Sequence, residues 1–363
     1  MLLRILSPLL LASSLLAADP LPRAEPEAKG VSSPQLTKFV RTLDESIVTP
    51  HSVMVVRGGA VVAEGWWKPE AADKPHVMWS VSKSFTSMAV GLAAADGKLS
   101  LDDPVLKFFP EDAPDAPSEN LRAMTVRHLL TMTCGHDAEP QFKREGGWAR
   151  RFLTHPVPHE PGTHFLYNSM GSFMLSAIVQ KVTGETVRDY LAPRLFEPLG
   201  IEIPRWDANP DGVSLGGWGL FLKTEDMAKF GQLLLQEGEW DGRQLLPRDY
   251  LEAATRKQAD NNRGLMALSP DWSSGYGYQF WMTRNGGYRA DGLAGQYIIV
   301  LPQKDAVVAI TCRTPQMPAV LSIVWDELLP ALKDTPLPAD PDAAADLRDA
   351  LSGLEVTTLP PRE

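Results

Sequence analysis

The sequence predicts a mixed α/β (α+β) protein: an antiparallel sheet flanked by helices, with an inserted helical region. Runs rich in β-branched residues, separated by turns, occur near residues 50–70 and again near 275–313. Helical patterns, most of them closed by glycine, fill the chain between them. Because strands from both ends must pair in one sheet, we expect a single interleaved domain over residues 19–333.

Each element follows from local patterning. Arg57-Gly58-Gly59 separates the first two runs and predicts a hairpin turn. The expected strands are Ser52 to Val56, Ala60 to Trp66, Gly277 to Thr283, Tyr297 to Leu301 and Ala306 to Thr311. The expected helices are Ser80 to Asp96, Val126 to Met132, Met170 to Val182, Thr224 to Gln236 and Ala319 to Leu332.

The two termini differ from this pattern. Arg4, the apolar run Ile5 to Leu16 and the small pair Ala17-Ala18 are typical of a secretory signal at residues 1–18. That run is too short to span a bilayer, and no longer one follows, so we expect a secreted or periplasmic mature chain without membrane insertion. Residues 334–363 are rich in Pro and Ala and predict a poorly packed tail, with one helical stretch at Pro341 to Leu354.

Composition and missing motifs exclude several classes of protein. The net charge is −10 and no Lys/Arg-rich run occurs, which argues against a nucleic-acid partner. GxSxG, HExxH, P-loop and GxGxxG motifs are missing. The cysteines, Cys134 and Cys312, form no CxxC motif, and the seven histidines show no ligand spacing. We therefore expect neither a metal nor an organic cofactor.

One chemical motif remains, the SxxK of Ser80 and Lys83 at the start of an apolar helix. Residues three apart on a helix share a face, so the lysine amine lies beside the serine hydroxyl. A desolvated lysine has a lowered pKa and can accept the serine proton, and the helix N-terminus favours a developing oxyanion. The alternative is an N-capping serine followed by a solvated lysine.

The surrounding sequence favours the catalytic interpretation. The segments that carry a family likeness are Trp79 to Ser87, Gly97 to Val105, Thr125 to His136, Phe165 to Ser169, and Val182 to Gly184. Together they resemble the serine β-lactamase and penicillin-binding protein superfamily, most closely the class C branch with its esterase and 6-aminohexanoate-oligomer hydrolase relatives. The resemblance covers roughly residues 30–332, with Cys134 where the family usually has serine.

This resemblance implies a β-lactamase-like fold with Ser80 as nucleophile and Lys83 beside it. Tyr167 matches the tyrosine of the family's second motif, where it relays a proton and a nearby cation favours its ionised form. Ser169, two residues on, is then expected to face the cleft, whereas Asn168 holds the variable middle position. The alternative for Tyr167 is an ordinary core tyrosine.

The family's third motif, Lys or His followed by Thr or Ser and Gly, corresponds here to Ala290 to Gln296. Leu293 and Ala294 occupy the positions of the cationic and hydroxyl residues. An apolar pair cannot replace the charge-assisted hydrogen bond that these residues form with a substrate carboxylate. The backbone N–H of Gln296, with that of Ser80, is still expected to form an oxyanion hole.

Two further site features follow less directly. Gly292 and Gly295 are expected to let substrate approach the strand, although a plain tight turn is the alternative for this segment. Trp218, in the loop Gly216 to Gly219, is expected either to contact the acyl group or to pack structurally.

The expected function is that of a secreted serine hydrolase that cleaves a small ester or amide through an acyl-enzyme on Ser80. The apolar third motif favours an esterase or a neutral-amide hydrolase. The alternatives are a β-lactamase or D-Ala-D-Ala carboxypeptidase and, in another class, a non-catalytic binder of peptidoglycan or peptide.

Overall fold

The computed structural model describes residues 19–142, 144–262 and 267–356, so the expected signal at residues 1–18 lies outside the described residues. The strands within these ranges are β1 Pro50–Arg57, β2 Ala60–Trp66, β3 His76–Val77, β4 Phe221–Leu222, β5 Glu239–Trp240, β6 Arg243–Gln244, β7 Trp281–Met282, β8 Tyr288–Gly292, β9 Gln296–Leu301 and β10 Ala306–Cys312. Six of them form an antiparallel sheet in the order β2-β1-β10-β9-β8-β7. Strands from the two ends of the chain therefore meet at the β1–β10 pair, as the sequence predicted.

The helices surround this sheet. In chain order they are α1 Ser33–Asp44, α2 Ser82–Ala95, α3 Glu119–Ala123, α4 Val126–Leu130, α5 Trp148–Thr154, α6 Ser169–Thr183, α7 Val187–Leu191, α8 Thr224–Leu235, α9 Arg248–Ala254, α10 Pro270–Ser273, α11 Met317–Ile323 and α12 Pro341–Ser352. Helices α2 to α10 come from the chain between β2 and β7 and form the inserted helical region. The predicted fold class, an antiparallel sheet flanked by helices with a helical insertion, is confirmed.

The sheet separates two apolar cores because successive residues of a strand point to opposite faces. On β1, Met54 and Val56 pack in the core that contains α2 and α8, whereas Val53 and Val55 pack in the core that contains α1 and α11. Strand β9 alternates in the same way. Both faces are thus covered by helices, and the strands read as nearly continuous apolar runs.

Two strand predictions need correction. Of the expected strand Gly277 to Thr283, only β7 pairs, because the N–H groups of Tyr278 and Gln279 donate to carbonyls of the helical region, those of Ala254 and Leu130. Strand β8 was not predicted, since its charged residues mask its apolar pattern; they are buried as an ion pair, described below.

The expectation of a poorly packed tail is also wrong. Helix α12 packs against α1 and β2, and Ala344 and Leu347 are buried, as is Leu354 just beyond it. Apolar residues spaced three or four apart give this helix one buried face. Residues 341–354 are therefore part of the folded body.

The two cysteines are buried and free, Cys134 in the α2 core and Cys312 in the α1 core. This confirms their interpretation as small buried residues. In the described ranges, every helix is too short or too polar to cross a membrane.

Candidate active site

Ser80 lies in a single 3-10 turn, Trp79–Val81, that leads directly into α2. The turn is held by two contacts: the Ser82 hydroxyl donates to the carbonyl of Trp79 (2.7 Å), and the Met78 N–H donates to that of Leu220 (2.8 Å). Trp79 has a φ of 46°, a left-handed conformation that is rare for a bulky residue and typical of functional turns. Half-buried Ser80 is thereby presented at the start of the helix.

The Lys83 side chain is 1% exposed and ends among three oxygen atoms. Its Nζ donates to Ser80 Oγ (3.0 Å), Ser169 Oγ (3.1 Å) and the carbonyl of Gly217 (2.8 Å). Burial lowers the pKa of Lys83 to about 7, against the opposing pull of Glu139 and Asp291. The amine next to the serine hydroxyl therefore changes charge close to neutral pH.

Tyr167 contacts both Ser80 and Lys83. Its ring centroid is 4.9 Å from Lys83 Nζ, and its hydroxyl hydrogen-bonds with Ser80. Burial raises the pKa of Tyr167 well above its usual value, and this outweighs the hydrogen bond with Ser80, which lowers it. The expectation that a nearby cation favours the phenolate is thus not met; the phenol stays protonated at neutral pH because desolvation dominates.

The start of α6 separates the roles of two neighbouring residues. Asn168 is 1% exposed and caps the helix: its Oδ1 accepts from the Gly171 N–H (3.0 Å), and its Nδ2 contacts His136 Nδ1 (3.1 Å). Ser169 instead contacts Lys83. The structure therefore brings Ser169, and not Asn168, to the Lys83 amine; the role of Ser169 toward substrate stays a prediction.

Gln296 begins β9 and fastens the turn after β8. Its side-chain amide donates to the carbonyls of Leu293 (3.0 Å) and Cys312 (2.8 Å) and accepts from the Cys312 N–H (3.3 Å). All three bonds are to main chain, and the side chain is fully buried. Only the backbone N–H of Gln296 thus remains for the oxyanion role that the resemblance implies.

The glycines of this turn make room for other parts of the chain, and their expected role in substrate approach stays a prediction. A Cβ on Gly292 would lie 2.4 Å from the carbonyl oxygen of Met78, and one on Gly295 would lie 2.9 Å from Cys312 Cβ. Gly295 also has a φ of 93°. Both glycines therefore let other parts of the chain approach: Gly292 lets the Ser80 turn pack on β8, and Gly295 lets the turn close on β10.

Trp218 follows the glycine whose carbonyl holds Lys83. Its half-buried ring meets Phe142 edge to face (centroids 4.5 Å apart) and stacks on Trp148 (6.1 Å). The loop is anchored from α2, because the Thr86 hydroxyl donates to the Gly216 carbonyl (2.8 Å). The packing alternative for Trp218 therefore has direct support.

A buried ion pair beneath Tyr167 was missed by the sequence reasoning. Arg289 Nε donates to Asp291 Oδ2 (3.0 Å), and both side chains are buried on β8. Burial raises the pKa of Asp291 to about 6 despite the Arg289 charge. The Arg289 guanidinium lies 5.9 Å from the Trp281 ring, which packs on Tyr167 (5.3 Å). The available signal was the two-residue spacing, which puts both charges on one strand face.

The histidines also differ from expectation. Among the described residues, one group has the geometry of a metal ligand set: Asp137, His159 and His164, whose ligand atoms lie within 4.8 Å of one another. Sequence spacing did not reveal it because Asp137 comes from a different loop. None of its members contacts Ser80 or Lys83 in the interactions described above.

The fold and the arrangement around Ser80 define a serine hydrolase. A family model described as Beta-lactamase matches residues 39–331, and the chain belongs to this family. The 6-aminohexanoate-dimer hydrolase of Paenarthrobacter ureafaciens is 26% identical over 324 residues, covering 80% of this chain and 79% of that protein. A beta-lactamase of Escherichia coli K12 is 22% identical over 352 residues, covering 80% and 91%.

Solved structures agree on the fold. EstCE1, described as a hydrolase with promiscuous acyltransferase activity, superposes with a TM-score of 0.64 at 18% identity, covering 88% of this chain and 99% of that one. The octameric penicillin-binding protein homologue from Pyrococcus abyssi gives a TM-score of 0.65 at 20% identity, covering 84% and 79%. These proteins share the architecture of this chain.

Proposed function

We propose that the protein is an exported serine hydrolase that cleaves esters or neutral amides through an acyl-enzyme on Ser80. The observation that carries the proposal is the 3.0 Å contact between Ser80 Oγ and a buried lysine amine whose pKa is lowered to about 7. An amine with a pKa near 7 is neutral in a substantial fraction of molecules at neutral pH, and the neutral form can accept the serine proton as the hydroxyl attacks a carbonyl. A solvated lysine would stay charged and could not.

The proposed reaction has two halves. Ser80 Oγ bonds to the substrate carbonyl carbon while its proton passes to Lys83 Nζ. The proton then returns to the leaving alkoxide or amine through the Tyr167 hydroxyl, which hydrogen-bonds with Ser80 and is protonated at neutral pH. Water attacks the acyl-serine by the reverse route and releases the acid.

The oxyanion is proposed to bind the backbone N–H groups of Ser80 and Gln296. The 3-10 turn that carries Ser80 packs on β8 and β9, which brings the two main-chain segments together. The buried Gln296 side chain fixes its own backbone through three bonds to the main chain. Such donors are effective because they need no reorganisation during the reaction.

The preferred substrate class follows from the third motif. Leu293 is 58% exposed and Trp79, next to the nucleophile, is 37% exposed. Exposed apolar side chains next to Ser80 and in the turn after β8 favour an uncharged substrate group over a carboxylate.

The second candidate is a β-lactamase or D-Ala-D-Ala carboxypeptidase, whose substrates carry a carboxylate. Arg313 supports it: this residue is exposed, and the N–H of the next residue, Thr314, donates to the carbonyl of Ala294 (3.1 Å). An exposed cation is thus next in the chain to a residue that bonds to the turn Leu293 to Gly295, which corresponds to the family's third motif. The beta-lactamase name among the relatives points the same way.

Export is proposed from residues 1–18 alone, whose charged start, apolar run and small residues are typical of a secretory signal. Fractionation of expressing cells should recover the mature chain outside the cytoplasm, with an N-terminus near residue 19. A full-length chain in the cytoplasm would contradict export and leave the enzymatic proposal unaffected.

The enzymatic proposal is tested with a panel of short-chain p-nitrophenyl esters, a chromogenic cephalosporin and a D-Ala-D-Ala peptide. We expect the esters to be cleaved fastest and mass spectrometry to find the acyl group on Ser80. Ser80→Ala should abolish both signals, whereas Ser352→Ala, an exposed serine on α12, should change neither.

Faster cleavage of the cephalosporin or the peptide would select the second candidate. Full activity of Ser80→Ala would contradict the mechanism. An intact wild-type protein that neither turns over nor labels with a fluorophosphonate would instead indicate the non-catalytic binder.

A further inference from the structure

Two histidines and an aspartate meet beside the segment that carries Tyr167. His159 Nε2 contacts Asp137 Oδ1, and the rings of His159 and His164 stack with centroids 4.2 Å apart and planes 19° from parallel. The ligand atoms of the three side chains all lie within 4.8 Å of one another. Asp137 is exposed and both histidines are half-buried, so the group is open to solvent.

The backbone beneath these side chains is held in place. The His159 N–H donates to the Gly135 carbonyl (3.1 Å), and the Gly162 N–H donates to that of Thr133 (2.9 Å). A Cβ on Gly135 would lie 2.3 Å from the His159 carbonyl oxygen, so only glycine permits this approach. The loop that carries Asp137 and the loop that carries His159 and His164 are therefore already joined through their backbones. Only the side chains must move for the three residues to surround an ion.

We propose that Asp137, His159 and His164 bind a divalent transition-metal cation of the zinc type. Two imidazoles and one carboxylate suit zinc, whereas calcium and magnesium prefer sites made of oxygen atoms. Zinc–ligand distances of about 2.0–2.2 Å require the three ligand atoms to rotate inward from their present spacing. Asp137 is exposed and the histidines are half-buried, so these side chains keep room to rotate and solvent supplies the remaining ligand.

Local charge agrees with a cation. Glu160 follows His159 in the chain and Glu139 lies two residues after Asp137; both are exposed carboxylates. Arg151, the half-buried cation on the neighbouring α5, pairs with Glu145 rather than with the histidine group. When the ion binds, its bonds to His159 and Asp137 would replace the direct contact between these two side chains.

The position gives such an ion a structural effect. His164 lies three residues before Tyr167, and the Leu166 N–H donates to the Met132 carbonyl (2.9 Å). Glu139 accepts a hydrogen bond from the Met170 N–H at the start of α6 (3.0 Å). A metal that joins the two loops therefore stabilises the segments that carry Tyr167 and Ser169.

The test is a titration of chelator-treated protein with Co²⁺ and Zn²⁺, followed by absorption spectroscopy and calorimetry. We expect saturable binding of one ion per chain, and Cu²⁺ in its place should show hyperfine coupling to two nitrogens in electron paramagnetic resonance. His159→Gln and His164→Gln should each weaken binding roughly tenfold or more. Zinc should raise the melting temperature of the wild type and much less that of either variant.

His51→Gln is the matched control, because His51 Nδ1 lies 2.8 Å from His76 Nε2 in a second histidine pair. It should bind metal like the wild type. The proposal is overturned if binding is not saturable, if both cluster variants bind as the wild type does, or if only His51→Gln loses binding. Melting temperatures without metal verify that each variant is folded.

Discussion

The ammonium nitrogen of Lys83 and the hydroxyl of Ser80 are 3.0 Å apart, although the lysine side chain is only 1% exposed. The two residues are three apart in the chain, in the 3-10 turn and the first turn of α2, which brings the two groups together. The helical region buries the lysine side chain. The oxygens of Ser169 and Gly217 complete the amine's partners, so a buried lysine is tolerated.

The first prediction concerns the pH dependence of acylation. Since burial lowers the pKa of Lys83 to about 7, the neutral amine accumulates as pH rises through that value. The acylation rate should therefore increase between about pH 6 and 8 and then level off. Lys83→Arg stays charged and should lose roughly 10²-fold or more in rate. Stopped-flow acylation measures both.

Lys229→Arg provides the control for that profile, because Lys229 is a second buried lysine that donates to the Leu199 carbonyl (3.0 Å). Its pH profile should match that of the wild type. An unchanged rise near pH 7 in Lys83→Arg would assign the titration to another group.

The second prediction links the same lysine to stability. The folded pKa lies below the unfolded one, so between about pH 7 and 10 the unfolded chain binds more protons and stability rises with pH. Relative to Lys83→Met, which lacks this titration, the wild type should gain up to about 1.4 kcal/mol per pH unit in that window. Urea unfolding at several pH values measures the difference; parallel curves would contradict the lowered pKa.

The third prediction concerns substrate choice. Leu293→Lys restores a cation where the family's third motif has one, and a charge-assisted bond should speed acylation by carboxylate-bearing β-lactams roughly tenfold. Activity on neutral esters should change little. Ile47→Lys, at a similarly exposed apolar residue between α1 and β1, should affect neither substrate. An equal effect of both variants would indicate general electrostatics.

The fourth prediction concerns the Gln296 side chain. Gln296→Leu leaves main-chain groups of Leu293 and Cys312 without their partner and should cost roughly 2–4 kcal/mol of unfolding free energy, with a lower kcat. Gln244→Leu also removes two hydrogen bonds to carbonyls, but at an exposed site, and should cost little. Thermal denaturation and steady-state kinetics distinguish the two. Equal losses would show that burial of Gln296 is unimportant.

Local signals predicted most of the elements. Runs rich in β-branched residues, bounded by turn residues, located β1, β2, β9 and β10, and helical periodicity located α2, α6 and α8, within a few residues of their observed bounds. Where prediction was wrong, long-range contacts decided. The segment before β7 forms its hydrogen bonds with the helical region instead of with a strand. Helix α12 is packed on α1 and β2. Both contacts join segments far apart in the chain, so local sequence patterns do not reveal them.

The sequence by itself determined the fold class through its periodicity, and the pairing of Ser80 with Lys83 through their three-residue spacing. The family likeness followed from its motif segments, Trp79 to Ser87 above all. Only the tertiary structure decided the protonation chemistry: burial lowers the pKa of Lys83 and raises that of Tyr167. It also buried Arg289 with Asp291 and brought Asp137 to two histidines of another loop. Desolvation and contacts between distant segments arise only when the chain is folded.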